Sequence, residues 1–175
     1  MKLSSQEEYG LRCLLHLART PAGKSMTIPE ISQAEGLSVP NVAKLMRLLR
    51  LAGLVQSERG QAGGYLLARP ASEIMVEQVL AGLGGRFFSP QFCERHAGRK
   101  DNCTHQVDCS LRVLWNTIQD VLTDVLGKTS LADLLCNEEQ MTTMLNSRST
   151  LLVALNQIRR ESGVASPETA VSVAP

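Results

Sequence analysis

A chain of 175 residues holds one domain with an extension, or two small lobes sharing a core. With 43% hydrophobic but only 3% aromatic residues, that core must be Leu, Val, Ile, Ala and Met, which suits helices better than a β-sandwich. The net charge of +1 splits unevenly: residues 1–70 carry nine Lys and Arg against five Asp and Glu, the remainder nine against twelve, so a polyanion partner is expected at the front half.

The first helix is predicted over 4–19, with Ser4 and Glu7, or Ser5 and Glu8, at capping-box spacing. Leu11, Leu14, Leu15 and Ala18 form its apolar stripe. A loop, TPAGKSM, leads to a second helix that starts at Thr27, turns Ile28 and Ile31 inward and stops at Gly36. Ser38 caps a third helix, VPNVAKLMRLLRLA, ended by Gly53, with Pro40 tolerated in its first turn. The period then changes. Leu54-Val55 and Tyr65-Leu66-Leu67 flank a polar, glycine-rich tip and read as a β-hairpin. Three helices followed by a hairpin make a winged helix-turn-helix.

A short helix is expected over 72–80. Residues 82–107 lack periodicity, and a structureless loop of that length is usually functional. The long helix runs from Cys109 to about Leu126, with Asp108 as N-cap and Gly127 as stop. Leu111, Leu114, Trp115, Ile118, Val121, Leu122, Val125 and Leu126 are its apolar positions, which must pack on the domain or on a second copy. TSLADLL reads as another short capped helix, 137–160 as a further helix, and 161–175 as a disordered tail. The fold class is therefore mainly α. The expected divisions are a winged helix-turn-helix domain over 1–80, a cysteine-bearing loop over 81–108, a dimerisation helix over 109–135, a C-terminal helix over 136–160 and the tail. No apolar run reaches the roughly 18 residues of a membrane span, and MKLSSQEEYG lacks the apolar stretch of a signal peptide, so a cytosolic location is expected.

On the third helix, Val42, Leu45, Leu48, Leu49 and Ala52 share one face. Pro40, Ala43, Lys44, Arg47 and Arg50 share the other. An inward apolar stripe with an outward basic one suits a recognition helix, whose first residues enter the major groove while cations meet phosphates. Ser38, Asn41 and Lys44 are the candidates nearest the bases. Arg59 and Gln61 at the hairpin tip, with Gly63 and Gly64 beside them, are candidates for a minor-groove wing.

The stretch FCERHAGRKDNCTHQVDCSLRVLW, residues 92–115, holds Cys93, Cys103 and Cys109 with His96 and His105 between them. In a reducing compartment, clustered thiols more often bind metal or do redox work than form structural disulfides. Zinc takes four Cys or His ligands, and an iron–sulfur cluster takes four ligands that are mostly thiolate, so the spacing suits both. Cys109, at the start of the long helix, lies where the helix dipole favours an anion. Cys13 and Cys136 are expected as small buried apolar residues. The chain has no P-loop, dinucleotide fingerprint or nucleophile elbow, so an enzyme is not expected.

MKLSSQEEYGLRCLLHLA, the run ISQAEGLSVPNVAKLMRLLRLAGLVQSERGQAGGYLLARP, and the three-cysteine loop followed by LW and LADLL together resemble the IscR/NsrR-type (Rrf-two) family of bacterial winged-helix transcription regulators, over about residues 1–135. The resemblance implies a homodimer, palindromic promoter DNA, and an iron–sulfur cluster on Cys93, Cys103 and Cys109 that senses redox state, nitric oxide or iron supply. The first cysteine gap is longer than in the IscR branch, and Arg112 stands where that branch has a ligand His. Another branch takes a carboxylate from the partner's first helix, which points to Glu8 of the partner subunit as fourth ligand. Three thiolates plus a carboxylate favour a [4Fe-4S] over a [2Fe-2S] cluster. A zinc-stabilised regulator without a cluster is the alternative.

Overall fold

A computed structural model describes residues 4–21, 23–58, 63–85, 87, 88, 92, 93, 103, 105 and 108–148. Helices α1 (Ser5–Arg19), α2 (Ile28–Glu35) and α3 (Val39–Leu51) occupy the front of the chain, and their ends have identifiable chemical causes. Ser4 Oγ accepts from the Glu7 N–H at 3.4 Å, and the Glu7 carboxylate accepts from the Ser4 N–H at 2.6 Å. Of the two boxes the spacing allowed, this one forms, and Glu8 has no part in it. Thr27 and Glu30 repeat the device at α2. The Thr27 N–H, then the Thr27 hydroxyl, hold the Glu30 carboxyl below the usual range. Gly36 leaves α2 in the left-handed region, with φ 65°.

Strands β1 (Val55–Ser57) and β2 (Tyr65–Leu67) pair antiparallel with Val55 opposite Leu67 and Ser57 opposite Tyr65, as expected of the hairpin. No local pattern signals a further bridge, in which Met26 N–H donates to Tyr65 O at 2.9 Å and Tyr65 N–H to Met26 O at 2.7 Å. The loop before α2 thereby becomes a short third edge of the wing.

The segment after the hairpin differs from expectation. In place of one helix over 72–80, a 3-10 turn at Ala71–Glu73 precedes α4 (Val76–Leu83). The cause is a non-local pairing. Val76 N–H donates to Thr129 O and Leu131 N–H to Ile74 O, so Ile74 and Met75 are drawn out into an extended bridge that delays the helix to Val76. Helix α5 (Ser110–Gly127) follows, with Cys109 rather than Asp108 as N-cap and with Gly127 inside it. TSLADLL becomes a 3-10 turn, Asp133–Leu135, held by reciprocal Ser130–Asp133 hydrogen bonds.

The core joins α1, α2, α3, α4 and the hairpin around Leu14, Ile31, Leu45, Met46, Leu49, Val55 and Val79, all buried. On α1 the stripe centres on Cys13, Leu14 and Leu17, with Leu11, Leu15 and Ala18 half-buried at its margins. On α3, Met46 takes the inward place expected of Ala52, which caps the helix and is exposed. The chain divides into two units, Met1–Asn137 and Glu138–Pro175. Of the second, α6 (Glu138–Arg148) is described, a helix opening on Glu138 and Glu139. The rest of the expected helix over 137–160 and the expected tail lie outside the described residues. No helix among the described residues is long and apolar enough to cross a membrane.

Candidate functional site

The outward face of α3 is the first candidate. Val42, Leu45, Met46 and Leu49 are buried and fix the helix's rotation, which leaves Lys44, Arg47 and Arg50 exposed together on the other side. Ser38, Val39 and Pro40 are exposed at the entering end, and Asn41 is half-buried. The Ser38 hydroxyl makes no capping hydrogen bond, so the first N–H groups of α3 have no side-chain cap there. A helix tip of this kind favours negative charge, including phosphate.

The turn that sets α3 against α2 is built by Ser32, a residue that no sequence motif singles out. Ser32 Oγ donates to Leu37 O, and Leu37 N–H donates to Ser32 O at 3.1 Å. Further up, the Glu35 carboxylate at the end of α2 is almost buried and meets Arg12 and His16 of α1, the latter at 2.7 Å. Arg12 also donates to Glu35 O at 3.4 Å. An acid at a helix C-terminus opposes the helix dipole. Here two basic groups from α1 offset it and tie the two helices together. Arg12 and Glu35 are too far apart in sequence for any local pattern to reveal this clamp.

At the wing, Arg59 and Gln61 lie outside the described residues. Gly63 is half-buried and Gly64 buried. A Cβ on Gly64 would stand 2.6 Å from Met26 O, so glycine is required there by the wing's own third edge. That use is internal to the fold and distinct from the close approach to a duplex that its position suggested.

The cysteines fall into two classes. Cys13 is fully buried, as expected, and burial, with the Glu35 charge as a second cause, pushes its thiol up to about 11. Cys93, Cys103, Cys109 and Cys136 are free and half-buried, so Cys136 is more accessible than expected. Cys109 is the N-cap of α5, where its carbonyl accepts from the N–H groups of Arg112 and Val113. His105 is exposed, and His96 lies outside the described residues. Three free thiols are a suitable donor set for an iron–sulfur cluster or zinc. Among the described residues, no three His, Cys, Asp or Glu side chains are gathered into one metal-sized group.

Glu8 is exposed on α1. The start of that helix is docked on the end of α4: Gln6 Nε2 donates to Leu83 O at 2.7 Å, and the Glu7 side chain lies against Gly85. This places the α1 N-terminus beside the point from which the cysteine-bearing segment departs.

The family described as Rrf2, iron-dependent transcriptional regulator, matches residues 3–137. Protein rrf2 of Nitratidesulfovibrio vulgaris is 33% identical over 135 residues, 77% of this chain and 87% of that one. The HTH-type transcriptional regulator IscR of Escherichia coli O1:K1 is 31% identical over 139 residues, 79% of this chain and 83% of that one. Among solved structures, CymR, named the global cysteine regulator of B. subtilis, superposes with a TM-score of 0.62 at 29% identity, covering 77% of this chain and 96% of that one.

Proposed function

The chain belongs to the Rrf2 family of transcriptional regulators, and from that premise we propose that it is a dimeric, promoter-binding regulator that senses redox state, nitric oxide or iron supply through an iron–sulfur cluster. The observation that carries this reading is the contrast among the thiols. Cys13 is sealed in the core, whereas Cys93, Cys103 and Cys109 are free and part-exposed on the stretch that ends at the N-cap of α5. They would hold the cluster, with Glu8 of the partner subunit as fourth ligand. In support of that assignment, the Ser4–Glu7 capping box leaves Glu8 out. When bound, such a cluster supplies one-electron chemistry and reactivity toward nitric oxide.

The remaining steps belong to the protein. Lys44, Arg47 and Arg50 meet phosphates, and Ser38, Pro40 and Asn41 face base edges of one palindromic half-site. Arg59, Gln61, Gly63 and Gly64 belong to the wing laid along the adjacent groove. Glu8 stands on the helix whose Arg12 and His16 grip Glu35, at the end of α2 and next to the turn that sets α3. Tension at the α1 N-terminus would therefore reach the reading helix through packed, paired groups rather than through a loop. A ligand shifts the equilibrium only by its differential affinity for the two forms, so loaded and empty dimers must differ in promoter affinity.

The test is anaerobic purification with iron and sulfide analysis, followed by promoter titration of loaded and empty protein at matched salt. Brown protein with about four irons per site and a changed promoter affinity is expected. Colourless protein carrying zinc would replace this reading with a zinc-stabilised regulator. Equal affinity of the two forms would remove the sensing role.

A further inference from the structure

The chain has three phenylalanines and one tryptophan, and all four line a single apolar cavity of about 200 Å³. Phe87 meets Trp115 edge to face with ring centroids 5.9 Å apart. Phe88 and Phe92 are tilted against each other at 5.5 Å. Phe88 is only 6% exposed. Its N–H donates to Gln119 Oε1 at 3.0 Å, and Gln119 Nε2 donates in turn to Thr123 Oγ1 at 3.0 Å. Trp115 and Gln119 lie one turn apart on α5 and so face the same side. Phe92 immediately precedes Cys93, and the two share a helical turn. At the far end of the stretch, Cys109 is the N-cap of that same α5.

We propose that Phe87, Phe88, Phe92 and Trp115 are a positioning anchor that fixes Cys93 on α5, so that the first and last thiols are both mounted on one helix before any metal arrives. The proposal rests on reading the three cysteines as ligands, and it names the residues that pre-organise them. The cavity is smaller than the roughly 300–1,000 Å³ of small-molecule sites, and among the described residues it is lined by rings, which do not orient a polar ligand. Its chemistry is packing. Edge-to-face and tilted ring pairs hold geometry as well as burying area. Groups that orient ligands without touching the metal typically govern affinity by about 10–100-fold. In a chain so poor in aromatic residues, gathering all of its Phe and Trp into one cluster whose Phe92 directly precedes Cys93 is a specific placement.

Full-length Trp115→Ala, Trp115→Phe and Phe88→Ala proteins provide the test. The first readout uses metal-free protein: the rate of maleimide labelling at each cysteine, mapped by mass spectrometry at one pH, with circular dichroism to verify folding. Trp115→Ala and Phe88→Ala are expected to speed labelling of Cys93 about tenfold while Cys103 changes less than about twofold, and Trp115→Phe is expected to restore the slow rate. The second readout is iron loss to a chelator from anaerobically reconstituted protein, expected to be about tenfold faster in the alanine variants and near wild type in Trp115→Phe. An unchanged Cys93 rate in folded alanine variants overturns the anchor. Phe87→Leu keeps most of the volume and carries the same expectation if the alanine variants do not fold. Wild-type protein that takes up neither iron nor zinc would sink the ligand reading. The labelling pattern would still uphold or overturn the fixing of Cys93.

Discussion

Cys13 shows how far environment separates thiols of one chain. Desolvation disfavours the thiolate, and the nearby Glu35 charge adds to the effect, so the folded thiol keeps its proton to about 11, against an ordinary 9.0. Two outcomes follow. At pH 8, folded, metal-free protein should resist alkylation at Cys13 while Cys93, Cys103 and Cys109 react, as read by peptide mapping. Between about pH 9 and 11 the unfolded chain has released this proton and the folded chain has not, so stability should fall as pH rises through that window. Cys13→Ala should flatten that decline, as measured by urea unfolding at stepped pH. Gly64 gives a second prediction of the same scale. Its added Cβ meets backbone of Met26, which cannot swing aside, whereas the atoms nearest a Cβ on Gly10 belong to the flexible Leu83 side chain, the first at 2.5 Å. Gly64→Ala should therefore cost about 1–3 kcal/mol and Gly10→Ala less, seen as lowered urea midpoints with unchanged slopes.

Between elements, the Glu35 clamp is the interaction most exposed to a single change. Arg12 is partly solvated, and His16 would still face the acid without it, so Arg12→Ala should cost about 1–2 kcal/mol, well short of the loss expected when a buried charge is left wholly unpaired. A double-mutant cycle with Glu35→Gln should recover most of that cost as coupling, because the two residues meet directly. The clamp also marks where the sequence stops being readable. Helix ends at Ser4, Thr27 and Gly36 were legible because capping is local chemistry within a few residues, whereas at Ser38 the position of the helix start was legible but the side-chain cap does not form. The basic side of α3 was legible because its period follows from the buried stripe opposite. The start of α4 was not, since residues 74–76 answer to Thr129 and Leu131, distant in sequence. The Met26–Tyr65 bridge and the Arg12–Glu35 pair are invisible for the same reason. At the candidate site, the residue types were legible and their mounting was not. Nothing local announces that Phe88 is held by Gln119, or that Cys109 caps the helix in place of Asp108.

At the scale of the whole molecule, α5 is the unfinished part. It is 18 residues long, about 27 Å, and none of its residues is buried in a single chain. Leu111, Val113 and Leu114 remain 57%, 66% and 49% exposed. Covering a large apolar side chain gains roughly 1.5–3 kcal/mol, and a two-fold seam counts each residue twice, so this face alone offers a strong drive toward a second copy. The proposed reading of palindromic DNA needs that copy, because two recognition helices must reach half-sites about 34 Å apart. Leu114→Asp puts two charges into such a seam. It should convert the proposed dimer to a monomer in sedimentation experiments while leaving the α1–α4 core folded, since Leu114 takes no part in that core. The monomer should keep weak, salt-sensitive binding to any duplex through Lys44, Arg47 and Arg50 but lose its preference for the promoter. Arg47→Ala in the intact dimer should do the reverse: the promoter is still preferred, affinity falls, and the slope of log affinity against log salt drops by about 1 for each phosphate no longer neutralised. If Leu114→Asp stayed dimeric with promoter preference intact, the exposed face of α5 would not be the seam.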